Sequence, residues 1–203
     1  MYWLELLPRE LLDAGWKVVL CHVRGGGELG HAWYRQGVGP NKDHHTITDT
    51  VNSISHLHSL DLTSPAHSVL HATSSGAAVA ARALQIHPGI VHKLVLRLPF
   101  LDPAMAGGGP LSCEEEEEWE GISPWVGGDL GAEVFLTVGD KDKRAPAWQA
   151  ANFVSSLTDT SDCYVNYLVD ADHTGFDDEA YTLETNFILD QRHPWRSWSF
   201  FRR

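Results

Sequence analysis

The sequence has few cysteines and no long apolar run. Its three cysteines, Cys21, Cys113 and Cys163, are widely spaced and form no Cys-x-x-Cys pair. We therefore expect neither a disulfide framework nor a cysteine-based metal site, and a reducing compartment such as the cytosol. No apolar stretch approaches the roughly 18 residues of a membrane span. The N-terminal segment also lacks the apolar core of a signal peptide.

Basic residues are scarce as well. Lysine and arginine number 15 against 27 aspartate and glutamate residues, which gives a formal net charge of −12. Binding to nucleic-acid phosphates needs a basic face, so we expect no nucleic-acid partner. With 203 residues, of which 43% are hydrophobic and 21% charged, the chain has the length and composition of one globular domain with its own core.

Histidines are plentiful, but their spacing does not predict a metal site. Of the 12 histidines, His44 and His45 are adjacent, and His56 and His58 are two residues apart, so their side chains diverge on a helix. No third ligand is evident near either pair. The glycine-rich segment 24–27 lacks the spacing of a phosphate-binding loop. We therefore expect no metal and no other cofactor.

Apolar runs rich in β-branched residues alternate with helical segments along most of the chain. This alternation predicts an α/β fold with a mostly parallel sheet flanked by helices. The predicted strands cover residues 16–23, 68–73, 93–99, 133–139 and 164–170, and the predicted helices cover residues 2–15, 43–59, 75–88, 145–157 and 177–190. Residues 102–131 form a long insert rich in glycine, proline and glutamate.

Three residues with complementary chemistry, Ser74, Asp142 and His173, each follow a predicted strand. The carboxyl ends of parallel strands meet at one edge of a sheet, where these side chains could come together. A serine hydroxyl is a weak nucleophile until an imidazole takes its proton and a carboxylate orients that imidazole. The chain order Ser, Asp, His is that of α/β-hydrolase active sites. The pattern predicts a serine hydrolase.

The serine lies in a degenerate version of the expected turn. The nucleophile elbow of this fold reads Gly-x-Ser-x-Gly between a strand and a helix. Here Gly76 matches the second glycine and Ala72 replaces the first. Ser75 is a competing nucleophile with a poorer match on both sides. A strand followed by a plain serine-capped helix accounts for the same residues equally well.

The acid and the base also have alternatives. Asp140 and Asp142 both lie in the charged turn 139–146, and such a cluster is often only a solvated loop. His173 is singled out from the other histidines by its place after the last predicted strand, where it could act as general base. From the residues alone, either aspartate could orient it.

Four segments of unusual composition follow one another along the chain. They are CHVRGGGELGHAWYRQG at 21–37, the serine elbow, LPFLDPAM at 98–105 and PLSCEEEEEWEG at 110–121. Together they resemble the prolyl oligopeptidase family of serine peptidases, and the resemblance extends over roughly residues 10–190.

This resemblance implies an α/β-hydrolase catalytic domain, which in the family is capped by a β-propeller. We expect residues 1–203 to form a single, N-terminally truncated domain of this kind, with the propeller absent. The resemblance assigns the nucleophile to Ser74, the base to His173 and the acid to Asp142, which is followed by arginine and proline as in the family. It also assigns an oxyanion donor to the Ser75 backbone N–H and a substrate-carbonyl contact to Arg144.

The implied function is a serine-type peptidase, or an esterase or thioesterase, that acts on short peptides or esters. Fewer predicted strands than the family's catalytic sheet, and alanine in the serine elbow, favour two alternatives. One is a catalytically weak or inactive protein that works through protein partners in interaction or trafficking. The other is a truncated fragment of a longer enzyme.

Overall fold

The computed structural model describes residues 9–102, 127–158 and 162–189. Most of the predicted insert 102–131, including the acidic segment 110–121, lies outside the described residues. The chain divides into two compact units, a larger one of Leu20–Phe176 and a smaller one formed by Met1–Val19 with Asp177–Arg203.

The larger unit contains a four-stranded parallel sheet. Its strands are β1 (Val69–Thr73), β2 (Lys93–Arg97), β3 (Glu133–Gly139) and β4 (Cys163–Leu168), and they lie side by side in chain order. The pairs β1–β2, β2–β3 and β3–β4 are all parallel. Their carboxyl ends therefore share one edge, and the predicted α/β class is confirmed.

Helices flank this sheet in the larger unit, and two further helices lie in the described part of the smaller unit. The larger unit contains α2 (His31–Arg35), α3 (Thr48–Ser59), α4 (Gly76–Ile86) and α5 (Ala147–Ser156), and the smaller unit contains α1 (Arg9–Asp13) and α6 (Asp178–Ile188). The Asp177 carboxylate begins α6 by accepting the Ala180 N–H at 2.8 Å, which satisfies one free donor of the first turn. Within the described ranges, no helix is long and apolar enough to cross a membrane.

The two central strands form the middle of the core. All five residues of β2 are buried, as expected for a parallel strand covered on both faces. One core cluster combines apolar side chains of β2 and β3 with small side chains of α4, which allow the helix to lie close to the sheet. Its members include Leu94, Leu96, Val134, Leu136, Val138, Ala77, Ala80 and Ala81. Burial of each such leucine contributes about 1.5–3 kcal/mol.

The predicted first strand, residues 16–23, is wrong. They form no ladder with any strand of the described residues, and Val19 and Leu20 are 51% and 52% exposed. The boundary between the two compact units also falls inside the run. A β-branched sequence favours an extended backbone, but a strand exists only where a neighbour takes up its N–H and C=O groups.

Two other strands end earlier than predicted because the backbone turns sharply. Leu98 and Asp170 have φ angles of 44° and 61°, a left-handed conformation that cannot continue a strand. For this reason β2 stops at Arg97 and β4 at Leu168. Both turns lie at the carboxyl edge of the sheet.

The glycine-rich loop, residues 24–37 with the short helix α2, is hydrogen-bonded to Asp49 in the first turn of α3 and to Thr46 just before it. The Asp49 carboxylate accepts the backbone N–H of Arg24 at 3.0 Å and its Nε at 2.8 Å, and pairs with the same guanidinium through its second oxygen. The Thr46 hydroxyl bonds to the carbonyls of Arg24 and Gly37 at 2.7 and 3.0 Å. A Cβ at Gly37 would lie 2.1 Å from the carbonyl carbon of Arg24, so only glycine allows this approach.

Candidate active site

Ser74 lies on a sharp turn between β1 and α4. Its φ of 50° is left-handed, a strained conformation that persists only where neighbouring groups hold it. Three hydrogen bonds do so here. The Ser74 N–H donates to the Arg97 carbonyl at 2.9 Å, and the Ser74 carbonyl accepts the N–H groups of Ala77 and Phe100 at 3.0 Å each. The turn raises the hydroxyl above the carboxyl edge of the sheet.

The elbow accommodates alanine in place of its first glycine. A Cβ built on Gly76 would meet the Ala72 methyl group at 3.8 Å, an ordinary van der Waals distance. Strand and helix therefore approach closely at this point without a clash. Ser75 is the N-terminal cap residue of α4, where backbone N–H groups have no acceptor within the helix.

Asp142 is the fully buried member of the site, with 0% of its side chain exposed. One carboxylate oxygen accepts the backbone N–H groups of Arg144 and Ala145 at 2.9 and 2.8 Å. The other oxygen contacts His173 Nδ1 at 2.7 Å. These three donors offset the cost of removing the charge from water. They also fix the direction in which the carboxylate points.

His173 is held on a tight turn after β4. The Asp172 carboxylate accepts the Thr174 N–H at 2.8 Å and its hydroxyl at 2.7 Å, and the bond to that hydroxyl lowers the pKa of Asp172. The Gly175 N–H donates to the Asp172 carbonyl at 3.1 Å. The turn leaves the His173 side chain 15% exposed, with Nε2 at 2.8 Å from Ser74 Oγ.

The hydrogen bonds assign the imidazole tautomer. A carboxylate can only accept, so Nδ1 of His173 carries the proton that it donates to Asp142. Nε2 is then free to accept the Ser74 hydroxyl proton. The arrangement can transfer a proton from the Ser74 hydroxyl to an imidazole whose orientation is fixed by Asp142.

The loops that carry Asp142 and His173 are packed against each other. A Cβ at Gly139, the last residue of β3, would lie 2.4 Å from the Ala171 carbonyl oxygen. The same carbonyl accepts the Lys141 N–H at 2.9 Å. The absence of a side chain at Gly139 therefore lets the backbones beside Asp142 and His173 approach to contact distance.

The sequence left alternatives open for the serine and for the aspartate, and one of each contacts His173. The hydroxyl that contacts His173 belongs to Ser74 and not to Ser75, and the carboxylate that contacts it belongs to Asp142. Asp140 is exposed, and its backbone N–H donates to the Leu168 carbonyl at 3.1 Å. Arg144 directs its backbone N–H to Asp142, while its side chain is exposed.

Neither the histidine pairs nor Cys163 adds a second reactive centre. The rings of His44 and His45 lie 5.0 Å apart, and His58 Nε2 contacts the Ser68 hydroxyl at 3.0 Å. In the part of the chain that the structure describes, no three His, Cys, Asp or Glu side chains are grouped to hold a metal ion. Burial raises the pKa of the Cys163 thiol to about 12, which disfavours the reactive thiolate.

Sequence reasoning missed several contacts in the surroundings of Ser74, Asp142 and His173. The pattern Asp-His-Thr-Gly at 172–175 did indicate a turn, because aspartate side chains often accept the backbone N–H two residues later and glycine is common in turns. The Arg97 guanidinium contacts the Phe176 ring, with 3.9 Å between Cζ and the ring centroid. No local sequence signal indicates this contact, because Arg97 ends β2 and Phe176 lies in a loop far along the chain.

Comparisons with protein families and curated proteins show which proteins the chain is similar to. The model of the prolyl oligopeptidase family matches residues 7–190. A prolyl endopeptidase-like protein of Xenopus laevis is 40% identical over 114 residues, which cover 55% of this chain and 16% of that protein. Its counterpart in Gallus gallus is 32% identical over 165 residues, which cover 72% of this chain and 22% of that protein. The chain thus spans about a sixth to a fifth of the length of these relatives.

Solved structures with the same fold include oligopeptidases. Oligopeptidase B from Trypanosoma brucei with covalently bound antipain superimposes with a TM-score of 0.70 and 26% identity, over 83% of this chain and 27% of that one. Oligopeptidase B from Leishmania major gives a TM-score of 0.69 at 23% identity, over 83% of this chain and 26% of that one. The latter likeness concerns the fold alone.

Proposed function

Because the chain belongs to the prolyl oligopeptidase family of serine peptidases, we propose that it is a serine hydrolase that acts through Ser74, His173 and Asp142. The observation that carries this proposal is the unbroken hydrogen-bond chain from Ser74 Oγ to His173 Nε2 at 2.8 Å and from His173 Nδ1 to Asp142 at 2.7 Å. Both distances lie within the reach of about 2.6–3.2 Å that proton transfer requires. The proposed substrates are short peptides, esters or thioesters.

The proposed reaction proceeds through a covalent acyl-enzyme. Ser74 Oγ attacks the acyl carbon while its proton moves to His173 Nε2. The resulting imidazolium gives that proton to the leaving amine or alkoxide, and Asp142 stabilises the positive charge without itself becoming protonated. Water then attacks the ester in the same way, with His173 again as the base, and releases the acid and free Ser74.

The N-terminus of α4 is the proposed source of stabilisation for the tetrahedral intermediate. The backbone N–H of Ser75 directly follows the nucleophile, and the positive end of the helix dipole favours the developing negative charge there. Arg144, exposed beside the acid, is proposed to contact a substrate carbonyl. Removal of one oxyanion donor typically lowers the rate about 10²–10³-fold.

A related solved structure supports the proposal of a covalent intermediate. The Trypanosoma brucei oligopeptidase B is described with covalently bound antipain. An adduct of that kind requires a nucleophile on the enzyme, and Ser74 is the proposed nucleophile here. An active-site probe tests for such a nucleophile directly, because it forms a stable covalent adduct with it.

The experiment is labelling of the full chain with a fluorophosphonate probe, followed by identification of the modified residue by mass spectrometry. We expect labelling at Ser74 in the wild type and none in Ser74→Ala. Ser75→Ala is the matched control because it removes the neighbouring hydroxyl and leaves the Ser75 backbone N–H in place. It should retain labelling. Equal labelling of wild type and Ser74→Ala would reject the assignment.

The second candidate function is a catalytically silent interaction protein. The observation that favours it is the four-stranded sheet of the described residues, which has fewer strands than the family's catalytic sheet. A folded wild type, verified by a cooperative unfolding transition, that resists the probe at any concentration would support it. Retention of partner binding by Ser74→Ala would support it further. Loss of cellular function in a folded Ser74→Ala protein would count against it.

A further inference from the structure

We propose that Arg97 is a positioning residue that holds His173 in place through the ring of Phe176. The inference rests on the proposed function, because it concerns the base of the same site. Arg97 ends β2 and is only 5% exposed. Its guanidinium carbon lies 3.9 Å from the centroid of the Phe176 ring, well within the range of a cation–π contact.

Phe176 is the far anchor of the turn that carries the base. At its start the turn is fixed by the Ala171 carbonyl, which accepts the Lys141 N–H and lies against Gly139. The hydrogen bonds of Asp172 make the next residues a compact unit. Such a unit anchored at one end can pivot about that end, which would swing the imidazole. The ring of Phe176, three residues beyond His173, provides the second point of attachment.

Arg97 contacts the nucleophile with its other end. Its carbonyl accepts the backbone N–H of Ser74 at 2.9 Å, while its side chain lies against Phe176. One residue therefore contacts both the backbone of Ser74 and the ring of Phe176, three residues after His173 in the chain. The separation between Ser74 Oγ and His173 Nε2, 2.8 Å, then depends on the conformation of Arg97.

The residue types suit this role. A guanidinium is planar and stays charged at all working pH values, so it can stack on an aromatic face where an ammonium cannot. Burial strengthens the attraction because water does not compete for the charge. Leucine at 176 would keep the apolar volume and remove the ring. Methionine at 97 would keep the length and remove the charge.

The test compares Arg97→Met and Phe176→Leu with a control, Phe153→Leu. The control replaces a buried aromatic ring of the core cluster, on α5, with a smaller side chain. Two quantities are measured on the full chain: the second-order rate constant for fluorophosphonate labelling, normalised to the folded fraction, and the NMR signal of the His173 Nδ1 proton. His173→Gln identifies that signal by its absence.

We expect Arg97→Met and Phe176→Leu to label about 10- to 100-fold more slowly, the scale of a displaced catalytic group. The Nδ1 proton signal should broaden or shift in both. Arg97→Lys, which keeps the charge without the planar fork, should lose part of the rate. It is the informative variant if Arg97→Met fails to fold. Phe153→Leu should lower the unfolding midpoint and leave both readouts unchanged.

Unchanged labelling and an unchanged Nδ1 signal in folded Arg97 and Phe176 variants would overturn the inference and leave them a purely structural role. Failure of the proposed function is distinguishable. If the wild type does not label, the Nδ1 signal still decides whether Arg97 and Phe176 hold the imidazole.

Discussion

Two carboxylates in the larger unit have nearly the same number of partners and contribute differently. Asp142 accepts two backbone N–H groups and one imidazole, and Asp49 accepts one backbone N–H and a guanidinium. Each holds a loop in place. The difference is the last partner: the second ring nitrogen of the imidazole can accept a hydrogen bond from a hydroxyl, whereas a guanidinium has no acceptor.

The two carboxylates show that similar hydrogen bonds can either stabilise a loop or orient a residue of the candidate site. The Asp49 contacts end at Arg24 and fix the glycine-rich loop. The contacts of Asp142 continue through His173 to a serine held in a left-handed conformation. Asp142 acquires a proposed catalytic role only because its partner is itself hydrogen-bonded to the proposed nucleophile, Ser74.

The largest expected effect comes from Asp142→Asn. An amide at this position favours the wrong imidazole tautomer, because its N–H₂ group would donate where the carboxylate accepts. We expect the rate of fluorophosphonate labelling at Ser74 to fall about 10⁴-fold. Asp49→Asn is the matched substitution and should leave labelling per folded molecule unchanged. Equal losses in both variants would remove the distinction between the two carboxylates.

The second effect is on stability and should be found at Asp49. Asp49→Asn weakens a charged hydrogen-bond set and leaves the guanidinium of Arg24, 23% exposed, with a poorer partner. We expect the free energy of unfolding to fall by about 1–3 kcal/mol. The urea midpoint measures this, provided that the slope of the transition is unchanged. An unaltered midpoint would show that the loop does not depend on this pair.

The third effect is the pH dependence of that stabilisation. The hydrogen bond from Arg24 lowers the pKa of Asp49 below its ordinary value of 3.8. A depressed folded-state pKa contributes stability at pH above the unfolded value and loses it as pH falls through the folded value. The difference in urea midpoint between wild type and Asp49→Asn should therefore be constant at neutral pH and decrease below about pH 4. A constant difference down to pH 3 would contradict this.

The smallest effect should come from Asp140→Asn. Asp140 is exposed and contributes only its backbone N–H to the Leu168 carbonyl, which asparagine retains. We expect labelling at Ser74 to stay within about twofold, as for surface substitutions away from special features. A loss comparable to that of Asp142→Asn would mean that both aspartates orient the base.

The parts of the fold that depend on local pattern could be predicted from the sequence. The run 133–139 became β3 with the predicted bounds, and the alanine-rich segment became α4, because burial and periodicity favour the same element there. Residues 16–23 have similar composition and form no strand. Whether an apolar run is paired depends on which neighbour the fold places beside it, and composition does not encode that.

The candidate site was predictable to the extent that it depends on chain order. Placement after successive parallel strands was enough to suggest Ser74, Asp142 and His173, because the fold brings strand ends to one edge. The choice between Asp140 and Asp142 depends on two residues of the same turn that differ only in which points inward. The contact of Arg97 with Phe176 depends on tertiary packing, so no spacing along the chain could indicate it.

Gly139 gives a criterion for interpreting sequence variation in chains similar to this one. It contacts no proposed substrate group, yet any side chain there would collide with the Ala171 carbonyl at 2.4 Å. The collision would displace the acid and base loops together, so compensation would need matched changes in both. A glycine at this position is therefore expected wherever the hydrogen-bonded constellation persists. Its replacement would mark a sequence that keeps the three reactive residues after losing their alignment.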